Sequence, residues 1–306
     1  MTVTLERAPS IPLLYARAAA PLIPGASLLP FVPGGGGEIP ELELELGGVR
    51  ADPAAVAAYA RACGFALRDS LPPTYPHVLA FPLHMAVMAD GRFPFGAVGL
   101  VHLENRIEQH RPLALDEELT LRVRPTPLQP HPKGRTFTIQ TIVGDRDGIP
   151  AWTGVSTFLR RGAPTSQPTT PSPGTEARAE LDDAPAAATW RLDSGLGRRY
   201  ASVSGDRNPI HMHALAAKPL GFLAAIAHGM WTKARCLAAL ESRLPAAFAA
   251  EASFRKPILL PARVELVRAE AGGEIAFRVR GAGSGATHLD GLAGPDQPQA
   301  NTGRKK

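Results

Sequence analysis

The 27 residues from Gly162 to Ala188, GAPTSQPTTPSPGTEARAELDDAPAAA, constrain the fold more than any other stretch of the chain. They mix Pro, Ser, Thr and Gly and carry no apolar periodicity, the composition of a linker. A crossover loop inside one domain is the alternative, but structureless loops beyond about 15 residues are uncommon within a compact unit. A chain of 306 residues is long enough for two domains of ordinary size. The expected organisation is therefore a domain over 1–161, a linker over 162–188, a second domain over 189–290 and a frayed polar tail over 291–306.

Both halves read as helix first and strands afterwards. In the first, Pro12 to Gly37 is rich in Pro and Gly and offers only a short turn around Leu13 to Ala20. Leu42, Leu44 and Leu46 alternate with Glu41, Glu43 and Glu45, the period of a half-buried strand. Asp52-Pro53 then supplies an N-cap and a first-turn proline for a helix running to Cys63, with Gly64 as its stop. Strands are expected over Gly99–Ile107, Glu118–Arg124, Thr136–Val143 and Trp152–Leu159. In the second half a helical stretch over Ala214–Leu240 precedes strands at Ala252–Phe254, Arg263–Ala269 and Glu274–Arg280. Segregated helices and strands make an α+β fold.

A weak internal repeat supports duplication. Leu79 to His84 (LAFPLH) is similar to Leu223 to His228 (LAAIAH), and His110 to Leu113 (HRPL) to Arg255 to Ile258 (RKPI). The prolines of the second pair follow the histidines of the first by 28 and 29 residues.

Composition narrows the function classes. Hydrophobic residues at 44% allow a buried core, and the two cysteines, Cys63 and Cys236, fit neither a disulfide framework nor a zinc spacing. With no secretion signal and no apolar run near the roughly 18 residues a membrane span needs, a cytoplasmic setting is expected. The net charge of +5 is dispersed and aromatic residues are 6%, so nucleic-acid binding is disfavoured.

Chemistry concentrates in Tyr200 to Met230. Gly205 to His211 (GDRNPIH) packs an acid, an amide and an imidazole around a proline, which places them on a turn or at a helix start. A neutral His beside a carboxylate can take a proton from water near neutral pH. Asp206 and His211 can thus hold one water, with Asn208 as a positioning amide. The competing reading makes Asp206 a helix cap and His211 a satisfied surface residue. Gly229, in AHGM, either offers an unobstructed N–H to a thioester carbonyl at a helix terminus or serves close packing. His228 reads as a structural hydrogen-bonding residue. Lys218, Arg255 and Lys256 are candidate contacts for the phosphates of a coenzyme A or phosphopantetheine arm, or a solvated basic rim. His77, His84, His102 and His110 match no familiar metal-ligand spacing and read as solvated or core histidines.

SGDRNPIH, followed by AKPLGF and IAHGM, resembles the hydratase signature of MaoC-like dehydratases and (R)-specific enoyl-CoA hydratases, and FRKPILLPARVEL is similar to that family's strand region. The resemblance implies a double hot-dog fold, two long helices each wrapped by an antiparallel β-sheet. It also implies reversible syn addition of water to a trans-2-enoyl thioester, giving a (3R)-hydroxyacyl product as in fatty acid metabolism. Asp206 and His211 match the catalytic positions, Asn208 the positioning amide and Gly229 the oxyanion glycine. No metal or redox cofactor is implied, because coenzyme A or acyl carrier protein arrives with the substrate. The first half lacks the Asp-x-Asn-Pro-x-His turn, so it is expected to be non-catalytic and to widen the acyl pocket. A non-catalytic acyl-thioester binding subunit and a hot-dog thioesterase are the alternatives, and either a monomer or a homodimer fits.

Overall fold

The computed structural model describes residues 1–18, 37–97, 99–165, 176–218 and 221–295, together with the backbone of residue 19. In the first half β1 (Thr2–Leu5) and α1 (Ile11–Ala19) precede β2 (Glu43–Val49), α2 (Pro53–Cys63) and α3 (Tyr75–Met88). Then follow β3 (Val101–Gln109), β4 (Leu119–Pro125), β5 (Gln129–His131), β6 (Gly134–Gly144) and β7 (Pro150–Arg161). The second half holds α4 (Glu176–Ala179), β8 (Ala186–Leu192), α5 (Leu196–Ser204), α6 (Pro209–Met212), α7 (Ala214–Ala217) and α8 (Gly229–Leu240). It ends with β9 (Phe248–Phe254), β10 (Ala262–Ala271), β11 (Glu274–Gly281) and β12 (Thr287–Gly294).

One sheet runs through both halves in the order β1-β2-β4-β6-β7-β3-β9-β12-β11-β10-β8, with β5 paired to β6. Beyond the parallel pair β1–β2, all its pairings are antiparallel. Reading outward from the seam, the first half runs β3, β7, β6, β4, β2 and the second runs β9, β12, β11, β10, β8. In each half the outermost strand comes first in sequence, then a central helix, then the seam strand. This is the α+β, duplicated arrangement that the sequence pattern implies and the double hot-dog that the family resemblance implies.

The local elements follow from their residues. Asp52 accepts a hydrogen bond from the Ala54 N–H at 2.9 Å, Pro53 opens α2, and Gly64 closes it at φ 85°. In β2 the leucines are buried and the glutamates half-exposed. α3 buries Tyr75, Ala80, Leu83, Met85, Val87 and Met88, so apolar side chains surround it, as a helix inside a core requires. α8 likewise buries Trp231, Ala234, Leu237 and Leu240.

At the seam, Glu104 to Gln109 of β3 pair with Ser253 to Phe248 of β9. Directly behind it lies Lys233 of α8, fully buried, its Nζ donating to the Asn105 carbonyl (2.9 Å), Asn105 Oδ1 (2.6 Å) and the Ala250 carbonyl (2.9 Å). All three ammonium protons are directed at acceptors on the two seam strands, and burial drives the Lys233 pKa well below its ordinary value.

Several sequence expectations are corrected. The stretch Ala214–Leu240 is not one helix: Gly221 stands at φ 87° and Ile226 pairs in an isolated bridge with Leu259, so the chain is extended before α8. The segment expected as linker contributes α4, whose Ala177 packs with Leu181, Val267, Ala269 and Ala276, and the start of β8. The tail begins as strand, because β12 continues through Gly294. In the repeat, HRPL and RKPI do occupy equivalent places just after β3 and β9. His84 lies inside α3, however, whereas His228 precedes α8, so the LAFPLH–LAAIAH match is coincidental. Part of Pro12 to Gly37 is helix α1, and residues 20–36 lie outside the described residues. No helix among the described residues is long and apolar enough to cross a membrane.

Replacing Lys233 by Met keeps the volume and removes the donors. Urea unfolding of Lys233→Met should show a loss of about 2–4 kcal/mol, because buried acceptors are left unmatched.

Candidate active site

The site begins at the end of α5. Gly205 takes the left-handed conformation (φ 76°), its N–H bonded to the Ala201 carbonyl at 3.1 Å, which stops the helix and turns the chain. The next residues then bond to one another. Ser204 Oγ accepts from the Asp206 N–H at 3.2 Å, Asp206 Oδ1 from the Asn208 N–H at 3.1 Å, and Asn208 Oδ1 from the Ile210 N–H at 3.4 Å. Asn208, not Asp206, is thus the cap of α6, with Pro209 in its first turn.

His211 is buried on α6. Its Nδ1 donates to the Ile226 carbonyl at 2.8 Å, since a carbonyl only accepts, and the Ile226 N–H returns a bond to the Ile210 carbonyl at 3.0 Å. This pins the tautomer and leaves the Nε2 lone pair available. α5 seats against the same backbone: a Cβ on Gly197 would drive into the His211 carbonyl.

His228 stands at the cap of α8 and stacks on His211, ring centroids 3.7 Å apart and planes 25° from parallel. Its Nε2 donates to the Asp206 main-chain carbonyl at 3.0 Å and lies 3.9 Å from Oδ2, while its buried Nδ1 has no partner among the described residues. The sequence reading of His228 as a hydrogen-bonding support agrees with this. No side chain caps α8, so the first-turn N–H groups, beginning with Gly229, are unsatisfied within the helix. A Cβ on Gly229 would stand 3.0 Å from the Phe254 ring, so this glycine also serves close packing.

Electrostatics separate the titratable groups. Burial pushes the His211 pKa below the ordinary imidazole value, with Asp206 and the Ile226 carbonyl pulling the other way. Burial and the neighbouring His211 take His228 down to about 3. For Asp206 burial acts to raise the pKa. His228, His211, the Asn208 N–H and the Tyr15 hydroxyl outweigh it, and the carboxyl sits below its ordinary value. Near neutral pH the site therefore holds a carboxylate beside neutral imidazoles.

Asp206, His211 and His228 have ligand-type atoms within 4.8 Å of one another, the metal-like cluster found among the described residues. One nitrogen of each ring is already committed to a main-chain carbonyl, His211 Nδ1 to Ile226 and His228 Nε2 to Asp206.

A cavity of about 340 Å³ opens onto these groups and is walled by both halves. The second half contributes Asp206, Asn208, His211, Gly229, Arg255 and Lys256, and the first contributes Phe81, Met85, Met88, Phe158 and Arg161. Asp206, His211, Asn208, Gly229, Arg255 and Lys256 are brought together as the sequence reading expected. Lys218 is not: it is exposed at the end of α7 and does not line the cavity. Arg255 is already held by Asp290 at 3.2 Å.

Two features escaped the sequence. Tyr15 of α1 donates its hydroxyl to Asp206 Oδ1 at 3.0 Å and accepts the Arg207 N–H at 2.8 Å. No local motif marks a contact between residues 191 apart. His77 and His84, both buried, and His102, whose Nε2 is buried, group on the cavity wall, with His77 centroids 5.0 and 6.4 Å from the other two, and burial lowers His77 to about 4 and His102 to about 3. Their sequence spacing predicted nothing, because α3 and β3 bring them together. His110 lies apart from them, exposed after β3.

A duplicated hot-dog with an acid–imidazole turn facing the start of a central helix defines a protein of the hydratase–dehydratase class. Residues 177–287 match the MaoC like domain. The chain is 39% identical over 264 residues to 3-hydroxyacyl-thioester dehydratase X of Mycobacterium tuberculosis, covering 86% of this chain and 92% of that one. It belongs to the MaoC-like dehydratase family. A crystal structure of HtdX from the same organism superposes with a TM-score of 0.72 at 37% identity, covering 82% of this chain and 98% of the other. A MaoC-like dehydratase from Phytophthora capsici shares the fold at 20% identity and a TM-score of 0.65, over 85% and 96% of the chains. A further Mycobacterium tuberculosis protein, described as having a double hotdog fold, matches with a TM-score of 0.51 at 15% identity, over 81% and 93%.

Gly197→Ala should displace the turn that carries His211. Thermal unfolding is expected to show a loss of about 1–3 kcal/mol from overpacking. A melting curve matching the unsubstituted protein would contradict the packing of α5 on His211.

Proposed function

We propose that the chain catalyses the reversible hydration of trans-2-enoyl thioesters to (3R)-hydroxyacyl thioesters. The observation that carries the reading is the convergence of Asp206, the His211 imidazole and the uncapped start of α8 on a cavity lined by both halves.

In the hydration direction, the Asp206 carboxylate and the His211 Nε2 lone pair hold one water. Its oxygen bonds to C3 of the substrate while its proton, accepted by the pair, ends on C2, and both side chains return to their starting states. Acid and base lie on the same side of the cavity, so oxygen and proton reach the same face of the double bond, which is syn addition. As C3 is attacked by water, or C2 deprotonated in the reverse direction, negative charge develops on the thioester oxygen. The Gly229 N–H and the positive end of α8 are placed to stabilise it. Asn208 holds the turn through its cap on Ile210 and lines the cavity beside the carboxylate.

The reaction needs no redox step, and coenzyme A or acyl carrier protein enters as part of the substrate. Lys256 and Arg161 at the cavity, with Arg255 behind Asp290, are positioned to meet a phosphate of the carrier arm. The first half supplies the apolar wall against which an acyl chain lies.

The direct test is loss of conjugated enoyl-thioester absorbance on mixing protein with trans-2-enoyl-CoA of graded length, with chiral analysis of the product and a free-thiol assay. Formation of (3R)-hydroxyacyl-CoA supports the proposal, whereas free thiol without hydration would assign a thioesterase. Asp206→Asn and His211→Ala should each lower kcat by on the order of 10²-fold or more with folding retained. Because the His211 pKa is lowered, its neutral form persists as pH falls. The kcat/KM profile should therefore stay flat from neutrality to below the ordinary imidazole value of about 6.5 and decline only under it. A decline beginning above that value would remove His211 as the neutral base.

A further inference from the structure

The Asp206 carboxylate is bound unequally. Oδ1 accepts two hydrogen bonds, from the Tyr15 hydroxyl at 3.0 Å and the Asn208 N–H at 3.1 Å. Oδ2 has no hydrogen bond among the described residues. The His228 Nε2 is 3.9 Å from it, beyond bonding distance, and its proton is committed to the Asp206 main-chain carbonyl.

We propose that Tyr15, on the first helix of the opposite half, is a positioning residue for the catalytic carboxylate: it ties down Oδ1 so that Oδ2 is the oxygen offered to the reacting water. The inference rests on the hydratase reading of the site and adds a residue to it.

The hydroxyl carries one proton. Its lone pair is occupied by the Arg207 N–H at 2.8 Å, so the proton is directed at Oδ1 and away from the main chain. Burial, followed by the Asp206 charge, raises the Tyr15 pKa far above its ordinary value, so the hydroxyl remains a donor across the whole working range of pH. A tyrosine bridging the carboxylate and the following backbone N–H fixes both the rotation of the Asp206 side chain and the path of the turn.

The helix that brings Tyr15 is firmly seated. Leu14 and Ala18 of α1 are buried at 5% and 2% exposure, and Ala18 and Tyr15 line the cavity. Ile11 covers Gly205, where a Cβ would stand 2.6 Å from Ile11 Cδ1. The half that lacks the acid–imidazole turn therefore clamps that turn from above. Its expected role was limited to the acyl pocket, and Tyr15 extends that role to the chemistry.

The test uses the full chain with Tyr15→Phe, which keeps the ring, and Tyr15→Leu, which removes it. Tyr15→Phe should melt like the unsubstituted protein, with KM within about twofold and kcat lower by about tenfold, the scale of one hydrogen bond to a charged group. Tyr15 lowers the Asp206 pKa, and the carboxylate is lost as pH falls through that value. Without the hydroxyl the Asp206 carboxyl should accordingly titrate at higher pH. Carbon-13 NMR titration of the Asp206 carboxyl reads the same upward shift independently of turnover, so the inference is tested even if enoyl thioesters prove not to be the substrate. An identical Asp206 titration in Tyr15→Phe and the unsubstituted protein would overturn the positioning role. So would full kcat in Tyr15→Phe with loss only in Tyr15→Leu, which would make Tyr15 a packing residue.

Discussion

The antiparallel pairing of β3 with β9, with the Lys233 ammonium behind it, is the contact on which the remaining architecture depends. Each half alone would leave a sheet edge unpaired along its seam strand, and the junction satisfies both edges at once. Lys233 is an unusual support for a core, because a buried ammonium is costly unless each proton meets an acceptor. Here all three protons do, and the acceptors belong to the strands from the two halves. The donor set thereby ties the two seam strands to α8.

From that seam the position of the cavity follows. The cavity is bounded by α3 and β3 on one side and by the start of α8 and the end of β9 on the other, so neither half encloses it alone. Phe254, at the end of β9, touches both sides, lying against Gly229 and 4.9 Å from the His102 ring. This space is lined by Asp206, Asn208 and His211 from one half and by aromatic and methionine side chains from the other. One half carries the acid–imidazole turn, and the other contributes volume, a histidine-bearing wall and the Tyr15 hydrogen bond to Asp206.

Burial governs the chemistry of the turn. The same desolvation that keeps His211 and His228 neutral would protonate Asp206 were it unopposed. Local donors, including the Asn208 N–H two residues on and the Tyr15 hydroxyl from the distant helix, keep the carboxylate ionised. An acid held charged beside a base held neutral is the combination that water addition requires, and here the Asn208 N–H and the Tyr15 hydroxyl both point at Asp206 Oδ1.

Much of this was legible in the residues. The caps of α2, the alternating leucines of β2, and the strands β3, β4, β6, β7, β10 and β11 announce themselves through side-chain periodicity and turn chemistry, which are local. The acid–imidazole turn is equally local, since Ser204, Asp206, Asn208 and Ile210 bond among themselves within a few residues. The helix α3 was not legible, because a helix buried on all sides has no amphipathic period and Pro76 and Pro82 read as breaks. The break before α8, the early start of the second half and the offset of the LAAIAH repeat were likewise hidden, each being decided by pairing or packing with distant strands. The sequence by itself determined the class of fold and the chemical identity of the turn, because short-range hydrogen bonds and burial periodicity are written in neighbouring residues. Only the tertiary structure decided that Lys218 stands away from the cavity, that three histidines share its wall and that Tyr15 holds Asp206. Those contacts join residues far apart in the chain, and no local free-energy preference marks them before the sheet closes.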